Sequence, residues 1–184
     1  CIRDRCKENN KDLSICLIEK GSEIGAHILS GNVFEPTALN ELIPDWKEKD
    51  APLNNPAKKD IVKFMLTKNQ SINIPFPTFL IPTFNNHGNF IMSLANFCRW
   101  LAGQAENNGV EIFPGFTASK LIIEDDIVKG IVTGEMGVSK DGIKKESSQP
   151  PMELRAKYTI FSEGCRGHLG KELSLIHISE PTRP

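Results

Sequence analysis

The segment that most restricts the possible fold is an apolar run near the start of the chain. Residues Leu13–Ile18 are mostly apolar, and the run ends directly in Glu19-Lys20-Gly21. A short unbroken run bounded by turn residues is typical of a strand buried on both faces of a parallel sheet. Because such sheets occur almost only in α/β proteins, this segment alone favours an α/β fold.

Later segments supply the other predicted elements. Apolar residues recur at helical spacing from Phe90 to Ala105, and Gly109 stands where a C-terminal cap belongs. Strands are predicted at 110–113, at 157–161, and at 121–123 and 127–132, the last two joined as a hairpin by an acidic turn. Residues 45–70 are predicted to be surface connections with short helical pieces, and 139–151 a polar loop. This order predicts a parallel sheet with a β-meander crossover.

Composition excludes several classes of protein. The 184 residues are 39% hydrophobic and carry a formal net charge of −1, which is typical of a globular chain and argues against disorder or nucleic-acid binding. No run of about 18 apolar residues occurs, so no membrane-spanning helix is predicted. Five cysteines are an odd number, which argues against a secreted disulfide framework.

Three elements could bind a nucleotide. In dinucleotide folds a carboxylate at the end of a buried parallel strand binds a ribose hydroxyl, and Glu19 has that place, although a Glu that closes a strand is more often simply a solvated residue. The loop 21–31 contains three glycines that could bring backbone amides close to a ligand, or form only a flexible turn. The turn 162–168 follows a predicted strand and could open a helix with free amides.

Several longer stretches carry a family resemblance. They are ICLIEKGSEIGAHILSG, PDWKEKDAPLN, IPFPTFLIPTFNNHGNFI, AENNGVEIFPGFTASKLI and KYTIFSEGCRGHLGKEL, which together cover nearly all of residues 13–173. The sequence resembles the electron transfer flavoprotein-ubiquinone oxidoreductase family of the glutathione-reductase-like FAD superfamily. The resemblance implies an FAD-binding Rossmann-like sheet with a β-meander crossover and part of a second, quinone-side α+β domain.

The resemblance also implies which residues bind FAD. Glu19 would hold the adenosine ribose, although for Phe116 and Ala118 ordinary strand packing is an equal alternative. No catalytic side chain is predicted, because such a protein binds and tunes its cofactor. The predicted cofactor-binding residues are Glu19, Lys20, Gly25, Ala26, His27, Leu29, Ser30, Gly31, Phe116, Ala118, Glu163 and Gly164.

A membrane contact is predicted in the proline-broken apolar run 72–84. Such a run could lie in a domain interface or dip into one leaflet of a membrane. Since the family must reach a lipid-soluble quinone, we favour the membrane. The predicted contact residues are Phe76, Phe79, Leu80, Ile81 and Phe84.

The resemblance further implies partners and location. The expected partners are electron transfer flavoprotein, ubiquinone and a membrane surface bound monotopically, without nucleic acid. The expected location is the matrix side of the mitochondrial inner membrane, or the inner membrane of a bacterium. The family also carries a 4Fe-4S cluster, but the cysteine spacing here lacks a cluster pattern, so its ligands are expected outside this chain. Histidine spacing predicts no metal site.

We expect the chain to be a segment of a longer protein, truncated at both ends. The predicted divisions are an incomplete FAD-binding part at 1–70, the start of a quinone-side region at 71–108, a continued FAD-binding sheet at 109–173 and a non-native tail at 174–184. The alternatives are an FAD-dependent reductase or hydroxylase, similar to geranylgeranyl reductases, that uses a nicotinamide donor, or an inactive truncated product. By itself the segment is expected to be inactive.

Overall fold

The computed structural model describes residues 5–6, 8–28, 31–74, 85–138, 141, 144–164 and 167–176. Its helices are α1 (Thr37–Leu42), α2 (Leu94–Asn107) and α3 (His168–Ile176). Its strands are β1 (Ile15–Glu19), β2 (Asn32–Phe34), β3 (Val62–Met65), β4 (Ser71–Ile74), β5 (Phe90–Met92), β6 (Val110–Pro114), β7 (Ala118–Glu124), β8 (Ile127–Thr133), β9 (Met136–Val138), β10 (Lys144–Gln149) and β11 (Glu153–Arg155).

Strands β1 and β6 pair side by side in the same direction. Near their starts, the charge of Glu111 on β6 acts on the Cys16 thiol of β1. Just beyond their ends, the Phe116 N–H donates to the Glu19 carbonyl oxygen at 3.0 Å. Because the contacts advance along both strands together, the pair is parallel, and the predicted α/β fold class is confirmed.

The predicted burial of β1 is wrong for the described structure. Cys16 is exposed and Leu17 is 42% exposed. The reason is that, within the part of the chain that the structure describes, β6 is the one strand that pairs with β1, so the other edge of β1 has no partner strand.

An antiparallel three-stranded sheet follows, in the order β11-β8-β7. The hairpin of β7 and β8 turns at Asp125 and Asp126, whose φ angles of 52° and 59° match the twist that tight hairpins require. The predicted hairpin and its acidic turn are therefore confirmed. Strands β9 and β10 pair as a separate antiparallel ribbon between β8 and β11 in the sequence.

The described residues divide into two compact units, one within 1–16 and 23–112 and the other within 17–22 and 113–184. The first unit has a core that is assembled around α2. Its buried members are Leu39, Trp46, Ala51, Leu53, Met92 and Phe97. In the second unit, the described residues with buried side chains are Ile122, Ile131, Thr133 and Leu169.

The structure corrects four more predictions. Trp46, Ala51 and Leu53 lie in the first core, so the predicted surface connection is wrong for these three residues, although residues 47–50 between them are exposed. Helix α2 begins at Leu94 rather than Phe90, because Phe90–Met92 pairs with β2 and Ser93 caps the helix.

The other two corrections concern the last part of the chain. Residues 144–149, predicted to be loop, form β10, since pairing with β9 supplies backbone hydrogen bonds that polar side chains do not prevent. Residues 157–161, predicted to be a strand, pair with no described strand, and Tyr158 is 89% exposed. Helix α3 extends through Ile176 and so includes three residues of the predicted tail.

Candidate functional site

The carboxylate of Glu19 is held at the end of β1 by the backbone that follows it. The Gly21 N–H donates to Glu19 Oε1 at 2.6 Å, and the side chain is half-buried. Among the described residues, Glu19 Oε2 has no hydrogen-bond partner. One oxygen therefore fixes the side chain and the other is free to accept a hydrogen bond, which is what binding of a ribose hydroxyl requires.

The chain after β6 lies directly against this strand end. Gly115 N–H donates to the Gly21 carbonyl oxygen at 2.7 Å, next to the Phe116 bond to Glu19. Phe116 is half-buried, and Ala118 begins β7. The structure thus brings together Glu19 and Phe116, two predicted site residues that are 97 positions apart in the sequence.

Part of the predicted glycine loop is described. Gly25, with a φ of +81°, lies in a turn with Ala26 and His27, and Gly31 has a φ of +86°. Glycine adopts positive φ values far more readily than other residues, so these angles favour glycine at both positions. Lys20 is exposed, and Leu29 and Ser30 lie outside the described residues.

Glu163 and Gly164 precede helix α3, and the carboxylate turns toward the helix. The Gly170 N–H donates to Glu163 Oε2 at 3.0 Å, while His168 Nδ1 lies 3.5 Å from Oε1. A Cβ on Gly167 would lie 2.4 Å from Glu163 Cβ, so glycine there leaves room for this contact. At this helix start the Gly170 amide therefore binds a carboxylate of the chain itself.

The five predicted membrane-contact residues all lie outside the described residues, but the hairpin that leads into them is described. Strands β3 and β4 pair Val62 with Ile74 and Phe64 with Ile72, which places four apolar side chains on one face. Phe64 is 55% exposed and Ile72 51% exposed. We call Val62, Phe64, Ile72 and Ile74 the apolar hairpin face.

Two hydrogen bonds between Asn86 and Asp60 close the base of this hairpin, and we call this contact the clasp. Asn86 donates to both oxygens of Asp60, from its backbone N–H at 3.1 Å and from its side-chain amide at 2.7 Å. These bonds stabilise the ionised form, so they hold the pKa of the Asp60 carboxyl below its usual value. The clasp thereby joins the two ends of the segment that contains β3 and β4.

Two of the described cysteine thiols, those of Cys16 and Cys98, show no sign of activation. Partial burial, followed by the negative charge of Glu111, raises the pKa of Cys16, and burial raises the pKa of Cys98. Both thiols therefore favour the protonated, unreactive form at neutral pH.

Other kinds of site find little support. Within the described ranges, no three His, Cys, Asp or Glu side chains come close enough to hold a metal ion. The helices in the same ranges are too short or too polar to cross a bilayer. A cleft of about 480 Å³ in the first unit includes no predicted site residue; it is lined by Trp46, Lys47, Asp50, Ala51, Leu53, Asn54, Pro56 and Phe90.

The parallel strand pair with a terminal carboxylate, followed by an antiparallel meander, defines the class as a Rossmann-like α/β fold. Among solved structures, THI4 of Thermovibrio ammonificans has a similar fold, with a TM-score of 0.51 at 13% identity over 88% of this chain and 52% of that one. No protein-family model matches the chain.

Sequence comparison then identifies the particular relatives. The chain is 53% identical over 94% of its length to electron transfer flavoprotein-ubiquinone oxidoreductase of Pseudomonas aeruginosa. It is 47% identical over 96% of its length to the mitochondrial protein of that name from Oryza sativa. The predicted resemblance is confirmed: the chain is homologous to electron transfer flavoprotein-ubiquinone oxidoreductases. It spans 31% and 30% of the length of these two relatives.

Sequence patterns missed the contacts that support the glycine loop. Glu23 forms an ion pair with Arg99, which lies 76 positions later on α2. Both residues are ordinary exposed charges in the sequence, and no local spacing connects them. For Gly21, the sequence indicates only a place in a turn, and the hydrogen bond from its amide to Glu19 is visible only in the structure.

Proposed function

We propose that the protein that carries this chain is a flavoprotein oxidoreductase that accepts electrons from reduced electron transfer flavoprotein and passes them to ubiquinone. Identity of 44–53% over about 94% of the chain to proteins of that name supports this activity. The chain would supply part of the FAD site, a proposal supported chiefly by the Glu19 carboxylate at the end of the parallel pair.

Within that site we assign roles to this chain's own residues. Glu19 would accept ribose hydroxyls through Oε2, while Gly21 keeps the carboxylate turned toward them. The backbone of the loop through Gly25 and Gly31 would lie next to the pyrophosphate. Phe116 and Ala118 would flank the adenine. FAD, when bound, supplies the electron-transfer chemistry, so the residues here bind and orient.

Contact with a membrane surface is a further part of the proposal. Three of the four side chains of the apolar hairpin face, Phe64, Ile72 and Ile74, are exposed. The positively charged Lys58, Lys59, Lys63 and Lys68 lie in or beside the hairpin. The same stretch, 56–89, contains only one acidic residue, Asp60. Exposed apolar side chains with surrounding lysines fit the interface of an anionic bilayer, which a protein that reduces a lipid-soluble quinone must approach.

The FAD role is tested by Glu19→Gln in the longest reading frame that carries this chain. Loss of a charge-assisted hydrogen bond is expected to raise the Kd for FAD about 10- to 100-fold, measured by quenching of flavin fluorescence. Glu111→Gln is the matched control, because it removes a carboxylate from the neighbouring strand β6, and it should change the Kd less than about two-fold. Equal Kd values in all three proteins would contradict the proposed site.

The electron donor is tested in the same wild-type preparation. Reduced electron transfer flavoprotein should regain its oxidised flavin absorbance when it is mixed with the protein and a soluble ubiquinone analogue, and a nicotinamide donor should not bleach the protein's own flavin. Bleaching by the nicotinamide alone would favour the reductase or hydroxylase alternative.

A further inference from the structure

The glycine loop is attached to the beginning of helix α2 at two points. The first is the Glu23–Arg99 ion pair, in which Arg99 Nη2 lies 2.9 Å from Glu23 Oε1. The guanidinium is oriented by a second bond, from Arg99 Nη1 to Asn96 Oδ1 at 2.9 Å. Both partners of Arg99 are therefore fixed relative to α2, one on the helix and one on the loop.

The second attachment is a close backbone approach. A Cβ placed on Gly25 would lie 2.9 Å from the Ala95 carbonyl oxygen and 3.0 Å from the Ala95 Cα. Since real Cβ atoms do not come that near, only glycine lets the loop lie against the first turn of α2. The φ of +81° at Gly25 adds a second requirement for glycine.

Helix α2 is itself held in place by packing and hydrogen bonds within the first unit. Phe97 is 5% exposed and packs on Phe34 with ring centroids 4.7 Å apart. Trp100 Nε1 donates to the Lys49 carbonyl oxygen at 2.7 Å, which ties the second turn to the segment after Trp46. A loop attached to such a helix takes its position from the core of the first unit.

Within the loop, two weak backbone bonds depend on this attachment. The Ala26 N–H donates to the Glu23 carbonyl oxygen at 3.2 Å, and the Ile28 N–H donates to the Gly25 carbonyl oxygen at 3.3 Å. Both acceptor carbonyls belong to the residues that α2 holds. Release of Glu23 would therefore loosen the turn as a whole.

We propose that Arg99 is a positioning residue for the cofactor: through Glu23, and together with the close approach of Gly25 to Ala95, it holds the glycine loop in the path that binds the FAD pyrophosphate. This inference rests on the proposed function. Arg99 itself need not touch the cofactor, because two of its three guanidinium nitrogens, Nη1 and Nη2, are already bonded to Asn96 and Glu23. Gly25→Ala should have a larger effect, since it disrupts the backbone approach directly.

The test is a double-mutant cycle in the longest reading frame that carries this chain. Arg99→Met and Glu23→Gln should each raise the Kd for FAD about two- to five-fold, which corresponds to one exposed ion pair. The double variant should be no weaker than either single variant, because both remove the same contact. Arg99→Lys, which keeps the charge, should recover part of the affinity.

A second readout separates positioning from general destabilisation. Hydrogen exchange of residues 23–28 in the FAD-free protein should be about two- to five-fold faster in Arg99→Met than in the wild type. The matched control is Arg155→Met, since Arg155 is also exposed and also bonded to two side chains, Glu124 and Glu153. It should leave both the Kd and this exchange unchanged.

The outcomes distinguish the inference from the proposed function. A wild-type protein that does not bind FAD would contradict the proposed function. Unchanged exchange of residues 23–28 in Arg99→Met would overturn the attachment whether or not FAD binds. Additive losses in the double variant, or an equal loss in Arg155→Met, would also overturn it.

Discussion

The meander of β7, β8 and β11 and the hairpin of β3 and β4 are both antiparallel. Their apolar residues differ in exposure, because some of those of the meander are buried and most of those of the hairpin are exposed. In the meander, Ile122 is 9% and Ile131 7% exposed, and Leu169 of α3 is 1% exposed. In the hairpin, Phe64 and Ile72 are both more than half exposed. Period-two apolar patterns thus specify a face in both cases, but what covers that face decides whether it becomes core or surface.

The largest expected effect of a substitution lies on the meander side of this comparison. Leu169→Ala removes a fully buried side chain from the second unit and should lower the free energy of unfolding by about 3 kcal/mol. Urea denaturation followed by circular dichroism measures this value. A loss below about 1 kcal/mol would mean that the α3 side of the meander is not a packed core.

The hairpin should respond in the opposite way. The double substitution Phe64→Ser and Ile72→Ser removes a cross-strand pair that is exposed, so the free energy of unfolding should fall by less than about 1 kcal/mol. Flotation with anionic vesicles should nevertheless drop several-fold, because the apolar hairpin face is lost.

A matched control for flotation is Ile127→Ser, which removes a 55% exposed apolar side chain from the tip of the meander. It should leave flotation unchanged. Equal flotation of the hairpin variant and the wild type would remove the membrane from the proposed function.

The smallest effect is expected at the clasp that closes the hairpin. The bonds from Asn86 lower the folded-state pKa of Asp60, so the ionised carboxylate stabilises the hairpin base above the unfolded pKa of about 4. That stabilisation is lost as the pH falls through the lowered folded-state pKa. Asp60→Asn should therefore speed hydrogen exchange of β3 and β4 at pH 7, and the difference from the wild type should shrink as the pH falls through the lowered folded-state pKa.

The control for the clasp is Asp45→Asn, which breaks the exposed ion pair with Lys49 outside the hairpin. Exchange in the hairpin should stay unchanged in this variant. A difference between Asp60→Asn and the wild type that does not shrink on acidification would contradict this prediction. It would mean that the substitution acts through the shape of the side chain rather than through the loss of its negative charge.

Local patterns predicted those elements whose hydrogen bonds are local. The hairpin at Asp125 and Asp126 and the body of α2 follow from alternation, helical spacing and turn residues within about fifteen positions. The segment 157–161 has the same strand pattern, but a strand also needs a partner, and no described strand pairs with it. The burial of Trp46 does not follow from its segment, because most of the neighbouring residues are polar and a single large apolar ring makes no periodic pattern.

Sequence patterns predicted only part of the candidate site, because only part of it depends on residues that are near one another in the sequence. Glu19 could be singled out because its role depends on its place at the end of an apolar run. The support from Gly21, the contact of Glu19 with Phe116 and the attachment through Arg99 depend on residues brought together by the fold. Single-sequence patterns carry no information about such pairs.

The parallel pairing of β1 with β6 also determines the order in which the molecule can be assembled. Ile15 and Val110 are 95 positions apart, so this pairing must close a far longer loop than any of the hairpins. The entropy lost in that closure delays it until the intervening segments have shortened the chain. We therefore expect α2 and the tight turns to form early in refolding, and the end of the sheet that carries Glu19 to be completed last.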